Sequence, residues 1–340
     1  MGGDHGPGEL VPGVARAARE LGPDVRFLLH GDEALLKAEV ARAPALAGRV
    51  EVRHAPRVVA MDEKPAQALR RGKDSSMWNA VEAVKTGEAA AAISAGNTGA
   101  LMAISKLLLR MSADLDRPPL VASLPTPTGV ATFLDVGANV DCDAERLVEF
   151  AILGEAFHRA AHGVAKPTIG LLNVGVEEMK GHQEVREAHR ILREGGLDLD
   201  YRGFVEGDDL TSGVVDVIVT DGFTGNVALK TAEGAARFIR DELKAALTGS
   251  VLAQLGAVLA MPALNRFKAR LNAPPAAPLL GLNGVVLKCH GGASSRDFAQ
   301  ALRVAVDLAR SDFAVEIERN MRKLPAALAE SIPPVADGAP

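Results

Sequence analysis

Short apolar runs alternate along this chain with longer runs of helical spacing, and most of the apolar runs end in a cluster of Gly, Asn, Asp or Ser. Few folds accept that order of elements. Strand-then-helix repetition predicts a doubly wound, mostly parallel sheet with helices on both faces, an α/β/α sandwich. The periodicity predicts strands over 25–29, 50–53, 89–94, 120–123, 130–136, 168–173, 215–220 and 285–289. Helices are predicted over 9–21, 32–41, 76–86, 98–111, 143–162, 182–194, 224–247 and 295–308. The segment 248–278 breaks the alternation and reads as a helical insertion. With no internal repeat, residues 1–330 read as one α/β/α domain. The Pro- and Gly-containing tail 331–340 reads as disordered.

The strand ends carry the chemistry. One run leads into Ser94-Ala95-Gly96-Asn97-Thr98-Gly99, a second into Gly137-Ala138-Asn139, and a third into Gly175-Val176-Glu177-Glu178-Met179-Lys180-Gly181. Two more lead into Asp221-Gly222-Phe223-Thr224-Gly225-Asn226 and His290-Gly291-Gly292. In an open α/β sheet such carboxyl ends are expected to line one crevice. Glycine lets backbone N–H groups come close to a ligand, and each following helix adds its positive end. Several such loops together suggest an oxyanion or phosphate site. The plainer alternative is that Gly and Asn only make tight strand–helix turns.

Composition narrows the field. Aromatic residues are 4% of the chain and the formal net charge is −5, which disfavours both a base-stacking platform and a phosphate-backbone binder, so no nucleic acid is expected. Two cysteines are too few for a disulfide framework or a structural zinc site. The chain opens on Met1-Gly2-Gly3-Asp4-His5 rather than a basic stretch and an apolar run, so no leader is expected. The apolar stretch 251–264 is broken by Gln254, Gly256 and Pro262 and falls short of the ~20 residues of a membrane span, which leads us to expect a soluble or peripheral, cytoplasmic protein. There is no GxxxxGK[ST] loop, no GxGxxG after a strand and no GxSxG elbow. His158 and His162 lack the Glu of an HExxH pair and read as structural or solvent-exposed. Cys289 and His290, adjacent on a strand, point to opposite faces, so Cys289 reads as core. Neither a metal nor a cofactor is expected.

Taken in order, the loops resemble a known family. Met1-Gly2-Gly3-Asp4-His5-Gly6-Pro7, Ser75-Ser76-Met77-Trp78-Asn79-Ala80, and Ser94-Ala95-Gly96-Asn97-Thr98-Gly99-Ala100 are similar to motifs of the PlsX-type phosphate acyltransferases. Asp135-Val136-Gly137-Ala138-Asn139, Leu172-Asn173-Val174-Gly175 and Glu177-Glu178-Met179-Lys180-Gly181 continue the resemblance. Phe204-Val205-Glu206-Gly207, Thr220-Asp221-Gly222-Phe223-Thr224-Gly225-Asn226, Leu279-Leu280-Gly281-Leu282-Asn283-Gly284 and His290-Gly291 complete it. The resemblance implies acyl transfer from acyl carrier protein to inorganic phosphate, giving acyl phosphate for phospholipid synthesis. It also implies a homodimer held peripherally at the inner face of the cell membrane, and a fold similar to phosphate acetyltransferases and isopropylmalate-type dehydrogenases. Two departures stand out. Members of that family usually carry a short strand ahead of the Met1-Gly2-Gly3-Asp4 motif, so an unpaired position in the sheet is expected here. The run 272–278 replaces a Gly-Gly pair that commonly precedes the Leu279-Leu280-Gly281 motif.

On this reading the chemistry needs no acyl-enzyme. A thiol of pKa ~8.5 is a good leaving group, and phosphate is already an oxyanion nucleophile. The tasks left are holding phosphate against the carbonyl and stabilising the tetrahedral oxyanion. Lys180 is expected to neutralise charge, and Asn226 and Asn97 to donate hydrogen bonds. His5 or His290 would protonate the thiolate, and Asp221 would orient these groups. Substrate binding is expected from Gly3, Asp4, Ser75, Ser76, Asn79, Gly96, Thr98, Gly99, Asn139, Asn173, Gly175, Gly222, Thr224 and Gly225.

In the insertion, Val251, Leu252, Leu255, Val258, Leu259, Leu264, Phe267 and Leu271 recur near helical spacing beside Arg266, Lys268 and Arg270. That pattern over 248–272 suits an anionic bilayer surface or a dimer interface. An acidic carrier protein calls for a basic patch, for which Arg70, Arg71 and Lys73, or the 266–270 cluster, are candidates. A short-chain coenzyme A acyltransferase, a metal- and nicotinamide-dependent dehydrogenase and a noncatalytic scaffold remain the alternatives.

Overall fold

The computed structural model describes residues 2–111, 117–271, 276–311 and 313–330. The strands are β1 (Phe27–Gly31), β2 (Val50–His54), β3 (Ala91–Ser94), β4 (Val121–Thr126), β5 (Gly129–Leu134), β6 (Thr168–Leu172), β7 (Asp200–Val205), β8 (Val217–Val219), β9 (Ala276–Pro278) and β10 (Val285–Cys289). The helices are α1 (Pro7–Glu20), α2 (Glu33–Ala41), α3 (Pro65–Arg71), α4 (Ser76–Lys85), α5 (Thr98–Leu109), α6 (Ala144–His162), α7 (Gln183–Glu194), α8 (Gly222–Thr248), α9 (Val251–Leu271), α10 (Ser295–Arg310), α11 (Phe313–Met321) and α12 (Leu324–Glu330). This is the α/β architecture the alternation predicts.

Burial on both faces explains why the strands read as continuous apolar runs. Leu134, Ile169, Leu171, Val217 and Val219 pack against α6, and their strand neighbours Phe133, Val205 and Ile218 pack on the other side with Ala228 and Leu229 of α8. Helix α6 is itself enclosed from Leu147 to His158, including Glu149 and Glu155. Around β3 and β10 the same division holds. Ala92 and Val286 face α4 and α5, and Cys289 faces α1 and α10 with Phe298 and Ala301.

Pairing runs β1-β2, β3-β10-β9 and β4-β5-β8-β6-β7, and every pair is parallel except β9–β10 and β4–β5. Leu279 bridges Leu120 in the antiparallel sense, which joins the second group to the third. The successive reversals at β9, β4 and β5 have a consequence for the strand ends. Strands β5, β8, β6 and β7 run opposite to β3 and β10. Strands β1 and β3 pair only with β2 and β10 among the described residues, so each keeps an open edge.

Strands β7 and β9 escape the sequence pattern. Strand β9 is Ala-Ala-Pro, with no β-branched or aromatic residue, and β7 is an edge strand interrupted by Arg202 and Gly203. The insertion also starts earlier than 248. Helix α8 is rooted only by its first turns, and from Lys230 onward almost every residue is exposed. It meets α9 at a bend of 118°, forming an arm on which Phe238, Ile239, Leu252, Leu255 and Leu259 are all exposed. No single helix is long and apolar enough to cross a membrane among the described residues. The side chains of Lys268, Arg270 and Leu271, and the segments 272–275 and 331–340, lie outside the described residues.

Candidate functional site

The strand reversal sorts the glycine-rich loops into two sets by the direction of the strands they follow. One set follows β3 and β10 and includes Gly2, Gly3 and Asp4. The other follows β5, β8, β6 and β7.

In the first set, the Asp4 N–H donates to the Gly291 carbonyl at 2.8 Å. Gly3 has φ of 80°, and a Cβ there would come within 3.0 Å of both Ala95 and the Gly291 carbonyl, so only glycine suits this approach. The Asp4 carboxylate stands 3.1 Å from a Cβ built on Gly291. His5 is exposed, and the His290 Nδ1 accepts the Gly292 N–H at 3.2 Å. Two helices begin beside these loops. Ser75 caps α4 by accepting from the Trp78 N–H, and Asn97 caps α5 by accepting from the Ala100 N–H. The Asn97 amide also donates to the carbonyls of Ala60, Met61 and Glu63 at 3.1, 2.9 and 2.8 Å. Both ends of that side chain are therefore committed to backbone groups. Asn97 clamps the 60–63 loop, and its amide has no hydrogen left to donate to an oxyanion. Ser76 and Gly96 are buried here, and Asn79, Thr98 and Gly99 are half-buried.

In the second set, Asp135 is wholly buried. Its carboxylate accepts from the backbone N–H of Leu120, Gly137, Ala138 and Asn139 and from the Asn139 amide. The Asn139 carbonyl in turn accepts the Gly222 N–H at 2.7 Å, which ties the loop after β5 to the start of α8. A side chain on Gly225 would overlap the Asp135 carbonyl, so glycine at 225 permits α8 to seat there. Asp221 caps α8 by accepting from the Thr224 N–H at 2.8 Å. Asn226 is exposed, with its amide oxygen 3.5 Å from a Cβ built on Gly137. After β6, the Asn173 amide donates to the carbonyls of Gly175 and Lys180, closing the 173–181 loop on itself. Lys180 is half-exposed and pairs with Glu177 at 2.8 Å, a contact that raises its pKa and keeps it an ammonium. Asn97 and Lys180 thus hold partners of their own, and neither is bonded to Asn226 among the described residues. Asn226 and Lys180 share one sheet edge, and Asn97 belongs to the other set.

Burial pushes the Cys142 thiol up to about 12 and the Cys289 thiol up to about 11, so neither is primed as a thiolate nucleophile. Among the described residues no group of three His, Cys, Asp or Glu side chains is arranged to hold a metal ion.

Lys288 is the residue that sequence reasoning passed over. It lies opposite Ser94 in the β3–β10 register, one residue before Cys289, and is 9% exposed. Its ammonium donates to the Cys289 carbonyl. The available signal was a lysine inside an apolar strand two residues ahead of His290-Gly291, since lysine is rarely buried without a partner.

A doubly wound α/β/α fold with glycine-rich loops at strand ends and helix N-termini defines the class of open-sheet α/β proteins, in which ligand sites form at strand ends. A family model described as fatty acid synthesis protein matches residues 1–316, and the chain belongs to that family. It is 74% identical over 339 residues to a phosphate acyltransferase from Phenylobacterium zucineum, covering 100% of this chain and 97% of that one. It is 63% identical to a phosphate acyltransferase from Caulobacter vibrioides, covering 97% and 92%. Its fold is similar to that of the EutD phosphotransacetylase from Staphylococcus aureus, with a TM-score of 0.58, 16% identity and coverage of 87% and 91%.

Proposed function

We propose that this chain is an acyltransferase that moves a fatty acyl group from an acyl-carrier-protein thioester to inorganic phosphate. The observation that carries this reading is 74% identity along the whole chain to a relative named phosphate acyltransferase. The loop geometry supports it, because α5 and α8 start from glycine-bearing turns and α4 from Ser75-Ser76, and each helix start turns a positive dipole end toward an anion. A phosphate oxygen attacks the carbonyl carbon, the C–S bond breaks, and the thiolate leaves and takes a proton. His5 and His290, both exposed beside Asp4, are the acids we assign to that proton. Asn226, exposed at the root of α8, donates to the developing oxyanion, and Lys180 neutralises its charge.

An acidic carrier protein is accommodated by Arg70, Arg71 and Lys73, all exposed at the end of α3, a few residues before Ser75 and Ser76. The arm, with its exposed apolar residues, serves membrane association or the pairing of two copies, and both suit a peripheral protein at the inner face of the cell membrane. The deciding experiment incubates purified protein with acyl-acyl-carrier-protein and phosphate. Phosphate-dependent thiol release together with hydroxylamine-trappable acyl phosphate is expected. Turnover confined to short acyl-coenzyme A, or no phosphate dependence, would reject the assignment.

A further inference from the structure

Lys288 is the least explained charged group in the fold. Strand residues alternate between faces, so Lys288 shares its face with Val286, and Ser94 shares it with Ala92. Ala92 and Val286 pack against α4 and α5. Ser94 and Lys288 therefore continue that face to the carboxyl edge of the strands, at the level where Ser75 starts α4 and Asn97 starts α5. Ser75, Ser76, Ser94 and Asn97 are each buried, as is Lys288. The ammonium turns along the strand to the Cys289 carbonyl, toward His290, Gly291 and Gly292. An ammonium has three hydrogens, and that carbonyl is its one hydrogen-bond acceptor among the described residues. No carboxylate lies within ion-pairing distance of it among the described residues. Asp4 acts on it only as a more distant charge that opposes the effect of burial.

A buried ammonium without a counter-ion is costly, and a fold that keeps one has to supply an anion or leave the group neutral. At this edge the Asp4 carboxylate, 3.1 Å from a Cβ built on Gly291 and 3.4 Å from one built on Gly292, opposes an anion, and the helix starts favour one. The two helix starts bring positive dipole ends and first-turn N–H groups beyond those that Ser75 and Asn97 cap. The competing cation, Lys180, is half-exposed and already paired with Glu177 at 2.8 Å.

We propose that Lys288, with the starts of α4 and α5, forms the seat for the phosphate nucleophile. The inference rests on the phosphate-dependent acyl transfer put forward above. The seat holds a phosphate dianion by charge-assisted hydrogen bonds and leaves one of its oxygens free to attack the thioester carbon. Lys288 keeps its proton throughout, and the departing thiolate draws its proton elsewhere.

The test separates binding from turnover. Inorganic phosphate is titrated into the full chain without acyl donor, and the shift in Tm is followed for wild type, Lys288→Met and Lys288→Arg. Phosphate should raise the Tm of the wild type, leave that of Lys288→Met unmoved, and act on Lys288→Arg to an intermediate extent. Under turnover, Lys288→Met should raise KM for phosphate by about tenfold or more while KM for the acyl donor stays near the wild-type value. A wild-type phosphate response in Lys288→Met, or none in the wild type, overturns the seat. Should Lys288→Met fail to fold, reductive methylation of wild-type lysines read by mass spectrometry replaces it. Phosphate must then protect Lys288, and equal labelling with and without phosphate overturns the proposal. If phosphate binds through Lys288 yet no acyl phosphate forms, the acyl-transfer reading fails and the seat stands.

Discussion

Asp135 holds Asn139 at two points, accepting from its backbone N–H at 2.6 Å and from its side-chain amide at 2.9 Å. Together with the bonds from Leu120, Gly137 and Ala138, this makes one buried carboxylate the organiser of the loop after β5. Asp135→Ala would strand several buried donors at once. It should lower stability by about 3 kcal/mol or more and abolish turnover. Urea denaturation checks the first part, and a loss under 1 kcal/mol would contradict it.

Asn97 makes a comparable clamp on the other set of loops. Asn97→Ala removes the α5 cap and frees the carbonyls of Ala60, Met61 and Glu63. A loss of about 2 kcal/mol is expected, with proteolysis newly directed to the 60–63 loop. Asn97→Asp should restore the cap but not the clamp, because a carboxylate accepts at the helix start and cannot donate to carbonyls. If the two variants matched each other in loop proteolysis, the clamp would carry no weight.

Acid should weaken the fold well before its carboxylates are all protonated. Burial holds His30 and His158 down at about 4, below the ordinary value near 6.5. Arg53 reinforces the effect at His30, while Asp216 opposes it at His158. His158 accepts or donates one hydrogen bond, to the Thr132 hydroxyl at 2.9 Å. As pH falls through 6.5 the unfolded chain binds protons that the folded chain refuses, so stability drops until both histidines charge near 4. Each histidine should account for up to about 3 kcal/mol of that loss. His158→Gln should reduce the slope of stability against pH in this window, and an unchanged slope would count against the assignment.

Glu149 should act in the opposite sense. Burial raises its carboxyl to about 7, although Arg146 at 2.7 Å pulls the other way. The folded chain holds this proton more tightly than the unfolded one. The contribution is full below about 4.5 and is lost as pH rises through 7. Glu149→Gln should therefore be more stable than wild type at pH ~8, by about 1–2 kcal/mol, and nearly equal to it at pH ~5. Paired thermal or urea curves at the two pH values decide the matter.

The arm gives the fifth expectation. Leu255 and Leu259 are 60% and 84% exposed, one turn apart on α9. Replacing both by Glu should abolish flotation with anionic liposomes, or reduce the self-association read by analytical ultracentrifugation, while leaving the unfolding transition of the body within about 0.5 kcal/mol of wild type. Retention of both membrane binding and self-association would remove the arm from either role.

The body of the fold was legible because its strands are buried on both faces and its helices keep their spacing. The runs that became β6, β8 and β10, and the junctions after them, are plain in the chain. Less legible was direction. Nothing in Ala276-Ala277-Pro278 signals a strand, yet β9 and the β4–β5 hairpin reverse the polarity of the sheet and divide the loops into two sets. Side-chain commitments were also hidden. Asn97 looks like a free donor in the motif Gly96-Asn97-Thr98, and only the return of the 60–63 loop uses up its amide. Lys288 was masked by its apolar neighbours Leu287 and Cys289, because a strand pattern reports which face a residue lies on and not what meets it at the strand's end.

Helix α8 spans 27 residues, about 40 Å of stiff rod. Its first turn is locked under the Asp135 carbonyl through Gly225, and its far end stands clear of the body. Root and tip therefore cannot tilt independently: a load applied at the far end is levered onto Asp221 and Asn226.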